Sequence, residues 1–293
     1  MKSNQTLKLL NEKATQRTRP DQSRYTAISL EDARHIAAAT EQSLFRVEQI
    51  GLEDSILPER YSRNQKALSC KQQLQLHMSK IAIIGLGGLG GAVTEILARI
   101  GVGNITLVDG DCFDESNLNR QLLSSSEFLG IAKAKVAAQR VKAINPAVRV
   151  TSHETFFTAK NGGELLGDSQ LAIDCLDTIR DRFILEECCR ELSIPMVSAA
   201  IGGTCGQATV VFPTDQGLQA IYGKKEDAPS RGIEASLGTL PFAAVYMAAV
   251  ECAETVSLLL DKKSQLRNSL LVTDIKDHTA EIFHFPPPAG SST

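Results

Sequence analysis

A chain of 293 residues with 43% hydrophobic and 22% charged side chains has ample material for a real core, as one large domain or two modest ones. Its formal net charge of −3 removes the bulk positive charge that nucleic-acid binding draws on. Seven cysteines, an odd number placed mostly within apolar stretches, exclude a simple disulfide scaffold and point to free thiols in a reducing cytoplasm.

The N-terminal stretch has no sustained apolar segment of the kind a secretory signal needs. Residues 1–24 are polar and aperiodic and are expected to form a mobile lead. Ser29, with Asp32 three residues on, is the expected N-cap of a helix through Ala39, and a second helix is expected over 44–50, ending at Gly51. The pair carries Glu31, Asp32, Glu41, Glu48, Glu53 and Asp54, the wrong sign for phosphate contact, so a small docking element is expected there rather than a DNA-reading one. Residues 1–56 are therefore expected as a helical extension and 57–293 as the main domain. The arginine-rich segment 57–64, LPERYSRN, carries Arg60 and Arg63, and a helix is expected over 65–79.

Residues 80–109 organise the rest. The unbroken apolar run 81–84 predicts a strand buried on both faces. Gly85, Gly87, Gly88 and Gly90 follow, then apolar residues at helical spacing (Val93, Ile96, Leu97, Ile100), closed by Gly101. A second buried strand, 105–108, ends at Asp109. Glycines without a Cβ let a phosphate approach the backbone, and the following helix turns its free N–H groups toward the anion. An acid at the tip of the second strand can accept hydrogen bonds from ribose hydroxyls. Gly85, Gly87, Gly90 and Asp109 thus predict nucleotide binding, without separating NAD, FAD and ATP.

Polar residues crowd 111–121 at the carboxyl edge of that strand, and Asn117, Arg120 and Gln121 could reach a phosphate chain there. A helix is expected over 132–144, stopped by Asn145-Pro146, with Lys133 in its first turn, where a bound anion would offset the unfavourable dipole. Further strands are expected at 148–152, 171–175, 196–200, 206–212, 270–274 and 281–285, and a long loop over 214–237. The strand at 171–175 leads into DCLD, placing Asp174 and Asp177 where a carboxylate can hold Mg²⁺ against a phosphate or cap the next helix. The apolar tract 237–260 contains Pro241, Glu251 and Glu254 and is expected as a buried helix rather than a membrane span. The tail 286–293 is expected to fray.

GLGGLGG, VDGD, SNLNRQ, Lys133 after Gly130, Asn145-Pro146 and DCLD together resemble the ThiF/MoeB/HesA superfamily of ubiquitin-activating-enzyme-like adenylyltransferases. The resemblance implies a Rossmann-like, doubly wound α/β fold, its sheet mostly parallel with antiparallel C-terminal strands. It implies an enzyme that uses ATP and Mg²⁺ to adenylate the C-terminal glycine of a ubiquitin-like sulfur carrier ending in Gly-Gly, as in molybdopterin or thiamin synthesis. Carried onto this chain, Gly85, Gly87, Gly88 and Gly90 line the ATP loop, Asp109 holds the ribose, Asp111 belongs to the same cofactor site, Asn117, Arg120, Gln121 and Lys133 bind the triphosphate, and Asp177 binds Mg²⁺. Arg63 would reach across a homodimer into the partner's site, and Arg182 matches a family arginine without an assigned role.

The chain also departs from the pattern. No cysteine lies in 214–237 or after Cys252, so neither the family's paired-cysteine zinc site nor its thioester-forming loop cysteine is expected. Cys205 is the nearest candidate thiol and is expected to be structural; Cys175, Cys188, Cys189 and Cys252 are expected in the core. Other functions consistent with the motifs are adenylation of a peptide or a tRNA base, an NAD-dependent oxidoreductase, and a non-catalytic scaffold. The oxidoreductase would leave Arg120, Lys133 and Asp177 without a task.

Overall fold

The computed structural model describes residues 2–64, 66–229, 232 and 234–285. Its N-terminal module comprises α1 (Lys2–Lys13), β1 (Thr15–Thr18), β2 (Arg24–Ile28), α2 (Leu30–Thr40), α3 (Leu44–Glu53) and β3 (Ile56–Pro58). Two expectations are corrected here. Residues expected as a mobile lead form α1 and β1, and the extension contains a three-stranded sheet, ordered β1-β2-β3, as well as helices. The physical reason is that α1 is held by few apolar groups. Leu10, fully buried, packs among Ile36, Val47, Ile50 and Ile56, while most of the helix stays polar and wet. Tertiary packing rather than its own periodicity stabilises such a helix. Ser29 caps α2 as expected, its hydroxyl accepting from the Asp32 N–H at 3.0 Å. The sheet of this module runs to Pro58, just past residue 56.

The main domain continues with α4 (Cys70–Met78), β4 (Lys80–Ile84), α5 (Gly88–Ile100), β5 (Asn104–Val108), α6 (Lys133–Ile144), β6 (Arg149–His153), α7 (Gly162–Leu166), β7 (Leu171–Asp174) and α8 (Ile179–Glu191). It ends with β8 (Met196–Gly202), β9 (Cys205–Val211), α9 (Gln219–Tyr222), α10 (Glu234–Leu237), α11 (Pro241–Asp261), β10 (Ser269–Asp274) and β11 (Thr279–His284). The short helices α9 and α10 interrupt what the sequence presents as one long loop, and the tail 286–293 lies outside the described residues.

Among the described residues, eight strands form one sheet in the order β11-β10-β9-β8-β7-β4-β5-β6. Strands β8, β7, β4, β5 and β6 run parallel, and β9, β10 and β11 add antiparallel to that edge. The alternating residues of β4 explain the double winding. Ile81 and Ile83 face the cluster formed with α5, α6 and α11, while Ala82 and Ile84 face the one formed with α7 and α8. Helix α11 has the length and apolarity of a membrane span, yet half of that window is buried, against α5, β8 and β9. After β4 the chain builds outward to β5 and β6, then returns to β7 on the other side. The topological switch point therefore lies between β4 and β7, where ligands of open α/β sheets bind.

The N-terminal module is joined to this domain through buried polar contacts. Glu48 of α3 pairs with Arg60, and Tyr61, fully buried, accepts a hydrogen bond from Asn145 Nδ2 at 2.7 Å. Nearby, the rings of Phe45 and His77 stack at 4.1 Å, with the Arg149 guanidinium 3.7 Å from the Phe45 ring centroid. His77 Nε2 lies 2.9 Å from the Phe45 carbonyl, to which it donates. Burial lowers the His77 pKa to about 4, so the imidazole is neutral in the folded chain. An unfolded chain, with its histidine near 6.5, takes up a proton first as pH falls. Stability from His77 is thus complete above pH 6.5 and is lost as pH falls toward 4, by up to about 3 kcal/mol. His77→Phe is expected to be about 1 kcal/mol less stable at neutral pH, having lost the hydrogen bond, but with a shallower acid limb in urea titrations. Parallel acid limbs for the two proteins would contradict this.

Candidate active site

The carboxyl ends of β4, β5 and β7 open into a cavity of about 560 Å³, a size suited to a nucleotide. Its floor is the glycine turn. Gly85 has φ +90°, and a Cβ there would lie 2.6 Å from the Cys175 carbonyl oxygen. Gly90 is behind the lining rather than in it. A Cβ there would lie 1.8 Å from the Gly85 carbonyl, so this glycine lets the first turn of α5 close onto the loop. Gly85, Gly87 and Gly88 line the cavity directly.

Asp109, one residue past β5, lies across from that turn. Its Oδ2 accepts from the Leu86 N–H at 2.7 Å and its Oδ1 from the Asp111 N–H at 2.8 Å, which fixes the carboxylate on the glycine loop. Burial pushes the Asp109 carboxyl above its ordinary value, while these N–H groups and Lys133 pull it back. Asp111 is exposed and pairs with Lys133, its Oδ2 lying 3.2 Å from Nζ. Lys133 is the first residue of α6, only 7% exposed, and its N–H donates to the Asp111 carbonyl at 2.9 Å.

The segment between β5 and α6 supplies Asn117, Arg120 and Gln121 to the same wall. Arg120 is oriented by the Ser116 carbonyl and Asn119 Oδ1, both at 2.9 Å. Asn117 accepts from the Asp114 N–H at 3.0 Å. Gln121 lies over Gly87 with its Oε1 buried and without a partner, an atom a ligand hydroxyl or N–H would satisfy.

The third wall follows β7. Asp177 is exposed to the cavity, and Asp181 lines it one helical turn on. Capping of α8 falls to Thr178 rather than Asp177: its hydroxyl accepts from the Asp181 N–H at 3.2 Å and donates to Asp181 Oδ2 at 2.6 Å. Asp177 is thereby left for a ligand. One or two carboxylates beside a phosphate chain is the donor set Mg²⁺ takes.

Beneath this wall lies a buried network. Asp174, fully buried, accepts from Arg182 at 2.9 Å, from Ser198 Oγ at 2.6 Å and from the Leu176 N–H at 3.1 Å. Arg182 also donates to the Ala199 carbonyl at 2.6 Å and to the Leu176 carbonyl. Burial works against the Arg182 charge, but the surrounding groups, the Asp174 carboxylate foremost, together more than offset it. Arg182 thus acquires a role the sequence left open, bracing the turn that presents Asp177. Glu251 of α11 shares the network, and burial together with the Asp174 charge pushes its carboxyl well above its usual range.

Cys175, Cys188, Cys189 and Cys252 are buried as expected, and burial raises each thiol. Cys205 Sγ lies 3.4 Å from Asp274 Oδ2, and partial desolvation plus that carboxylate raise its pKa, the wrong direction for a nucleophile.

The structure thus brings together Gly85, Gly87, Gly88, Asp109, Asp111, Asn117, Arg120, Gln121, Lys133 and Asp177. Arg63 is exposed and lies outside the cavity of its own chain, whereas Arg60 turns inward to Glu48. Sequence reasoning missed Thr155, Phe156, Phe157, Asp181 and Thr239 in the lining. The Thr178-x-x-Asp181 capping pattern and an apolar Phe-Phe pair just beyond a strand end were the available signals.

Residues 61–292 match the ThiF family. The chain is 32% identical to the SAMP-activating enzyme E1 of Haloferax volcanii over 78% of its own length and 85% of that protein's. It is 31% identical to the sulfur carrier protein adenylyltransferase of Thermus thermophilus over 69% of its length and 77% of the relative's. Relatives named adenylyltransferase and sulfurtransferase are longer, and the chain spans less than half of them. The fold is shared with a crystal structure of E. coli MccB with ATP, at TM-score 0.65 and 19% identity, over 89% of this chain and 81% of that one.

Proposed function

Because the chain belongs to the ThiF family, we propose that this adenylyltransferase activates the C-terminal glycine carboxylate of a ubiquitin-like sulfur carrier of the MoaD/ThiS type, forming an acyl-adenylate and releasing pyrophosphate from ATP. The observation that carries the reading is the cavity itself. Lys133, Arg120 and Asp177 surround a glycine turn faced by a ribose-competent aspartate, with no histidine in the lining.

That residue set suits the reaction. A carrier carboxylate oxygen bonds to the α-phosphorus of ATP while the bond from that phosphorus to the bridging oxygen breaks, and the electron pair leaves with pyrophosphate. The attacking carboxylate is already ionised at neutral pH, so no general base is needed. What the site must supply is alignment of two anions and positive charge on the leaving group. Asp109 would hold the ribose hydroxyls, the glycine turn would let the phosphates reach the N-terminus of α5, and Lys133 and Arg120 would take the phosphate charge. Asp177, with Asp181 beside it, would hold Mg²⁺, which supplies further charge neutralisation to the leaving pyrophosphate.

A homodimer with Arg63 acting in trans fits the surface. Phe242, Val245 and Tyr246 form an exposed apolar stripe on α11, with Leu237 and Leu240 just before it, and Ala244 packs beside Gly88 of the nucleotide loop. A second copy covering this stripe would lie next to the cavity.

ATP–pyrophosphate exchange against a panel of carriers ending in Gly-Gly tests the reading. Mg²⁺-dependent exchange with one carrier, lost when its terminal Gly-Gly is removed, is expected; ATP binding without exchange for any carrier would contradict it. Arg63→Ala and Lys133→Ala proteins, each nearly inactive alone, are expected to regain activity when mixed, since one site of the mixed dimer then has both residues. Absence of recovery under subunit exchange would count against the trans arrangement.

A further inference from the structure

The loop after β6 places an aromatic side chain where the fold does not need one. Phe156 is 64% exposed, the most exposed large hydrophobic among the described residues, yet it lines the cavity rather than the outer surface. Its ring lies flat on the backbone of Gly110: a Cβ at Gly110 would meet three ring carbons at 2.7–2.8 Å. The ring is thus seated one residue from Asp109, on the β6 side of the cavity and away from the glycine turn.

Its position is held by its neighbours. Phe157 is 7% exposed and packs into the cluster with Val108 and Leu165, which pins the backbone and turns Phe156 the other way. Asn161 Nδ2 donates to the Phe156 carbonyl at 2.9 Å, while Asn161 Oδ1 accepts from the N–H and hydroxyl of Thr158 at 2.8 and 2.9 Å. An exposed aromatic group on a pinned loop is pre-organised for a flat partner, and burying it there recovers apolar area now in contact with water.

We propose that Phe156 is the platform on which the base of the nucleotide stacks, and that it sets a preference for purines over pyrimidines. The inference rests on the nucleotide-site reading above. With the ribose on Asp109 and the phosphates toward the glycine turn, the base has to extend toward β6, where Phe156 presents a ring face and Phe157 and Val108 form the apolar wall behind it. Stacking favours the larger purine ring, because contact area grows with the ring system. Gly110 serves the same arrangement by leaving room for the ring.

Calorimetric titration of the full chain, without any carrier, with Mg·ATP, Mg·CTP and tripolyphosphate tests this. Phe156→Ala is expected to weaken ATP binding roughly 10- to 100-fold, the range that loss of one stacked base implies. It is expected to weaken CTP binding less and to leave tripolyphosphate binding unchanged, while Phe156→Tyr keeps wild-type affinities. Gly110→Ala, which displaces the ring, is expected to follow Phe156→Ala. ATP binding by Phe156→Ala within threefold of wild type, with or without a change in carrier KM, would overturn the platform while leaving the nucleotide site standing. An equal loss for ATP and tripolyphosphate would overturn it as a general distortion. Failure of the wild-type protein to bind ATP would overturn the underlying reading as well.

Discussion

Replacing Lys133 with Ala is expected to lower the rate of the proposed carrier adenylation by on the order of 10²–10³, with little change in stability. The lysine is 7% exposed, at the first position of α6, where the helix dipole disfavours a cation. Asp111 is its partner in the structure, but that carboxylate is largely exposed, and the 3.2 Å pair is a modest compensation. A lysine ammonium kept in so unfavourable a place is accounted for by an anion that binds there. In the proposed reaction negative charge builds on the departing pyrophosphate, and a fixed cation is worth most where charge develops. Lys135, exposed on the same helix, provides the control, since Lys135→Ala removes an equal charge and is expected to leave the rate unchanged. Single-turnover adenylation distinguishes them. A Lys133→Ala rate within threefold of wild type would remove this residue from the chemistry.

The second large effect is on stability. Arg182→Met is expected to destabilise the fold by about 3–5 kcal/mol, because it leaves Asp174 charged and buried without its counter-ion. Glu251 brings no relief, since burial and the Asp174 charge push its carboxyl up and Arg182, which pulls it down, is the group being removed. Arg182 also donates to the Leu176 carbonyl, so the turn that presents Asp177 keeps only the Leu176 N–H bond to Asp174. Urea unfolding measures the loss, and Arg182→Met combined with Asp174→Asn should recover part of it by removing the stranded charge. A single substitution costing under 1 kcal/mol would mean that the pair is not what holds this turn.

The sequence was most legible where backbone chemistry leaves a residue signature. The run from β4 to Asp109 was readable because a buried strand, a glycine turn and a helix each demand particular residues, and Ser29 was readable as a cap for the same reason. The antiparallel β10 and β11 followed from the family resemblance, and the burial of α11 from Glu251 and Glu254 within an apolar tract. What escaped was held by distant parts of the chain. Helix α1 owes its order to Leu10 meeting α2, α3 and β3, which no local pattern reports. Arg60 and Arg63 look alike in the sequence, and only the buried Glu48 partner separates them. Phe156 and Asp181 entered the cavity through the convergence of the loops after β6 and β7, a property of strand order rather than of spacing. For Arg182 the residue was noticed but its partners Ser198 and Ala199 lie on another strand.

The most direct test of the central claim is the intact mass of a Gly-Gly-ending carrier after incubation with the enzyme, ATP and Mg²⁺, quenched in acid. The account predicts a species heavier by one adenylyl group, released by mild base and absent with Asp177→Ala. An unmodified carrier under conditions where the enzyme binds both ATP and that carrier would contradict it.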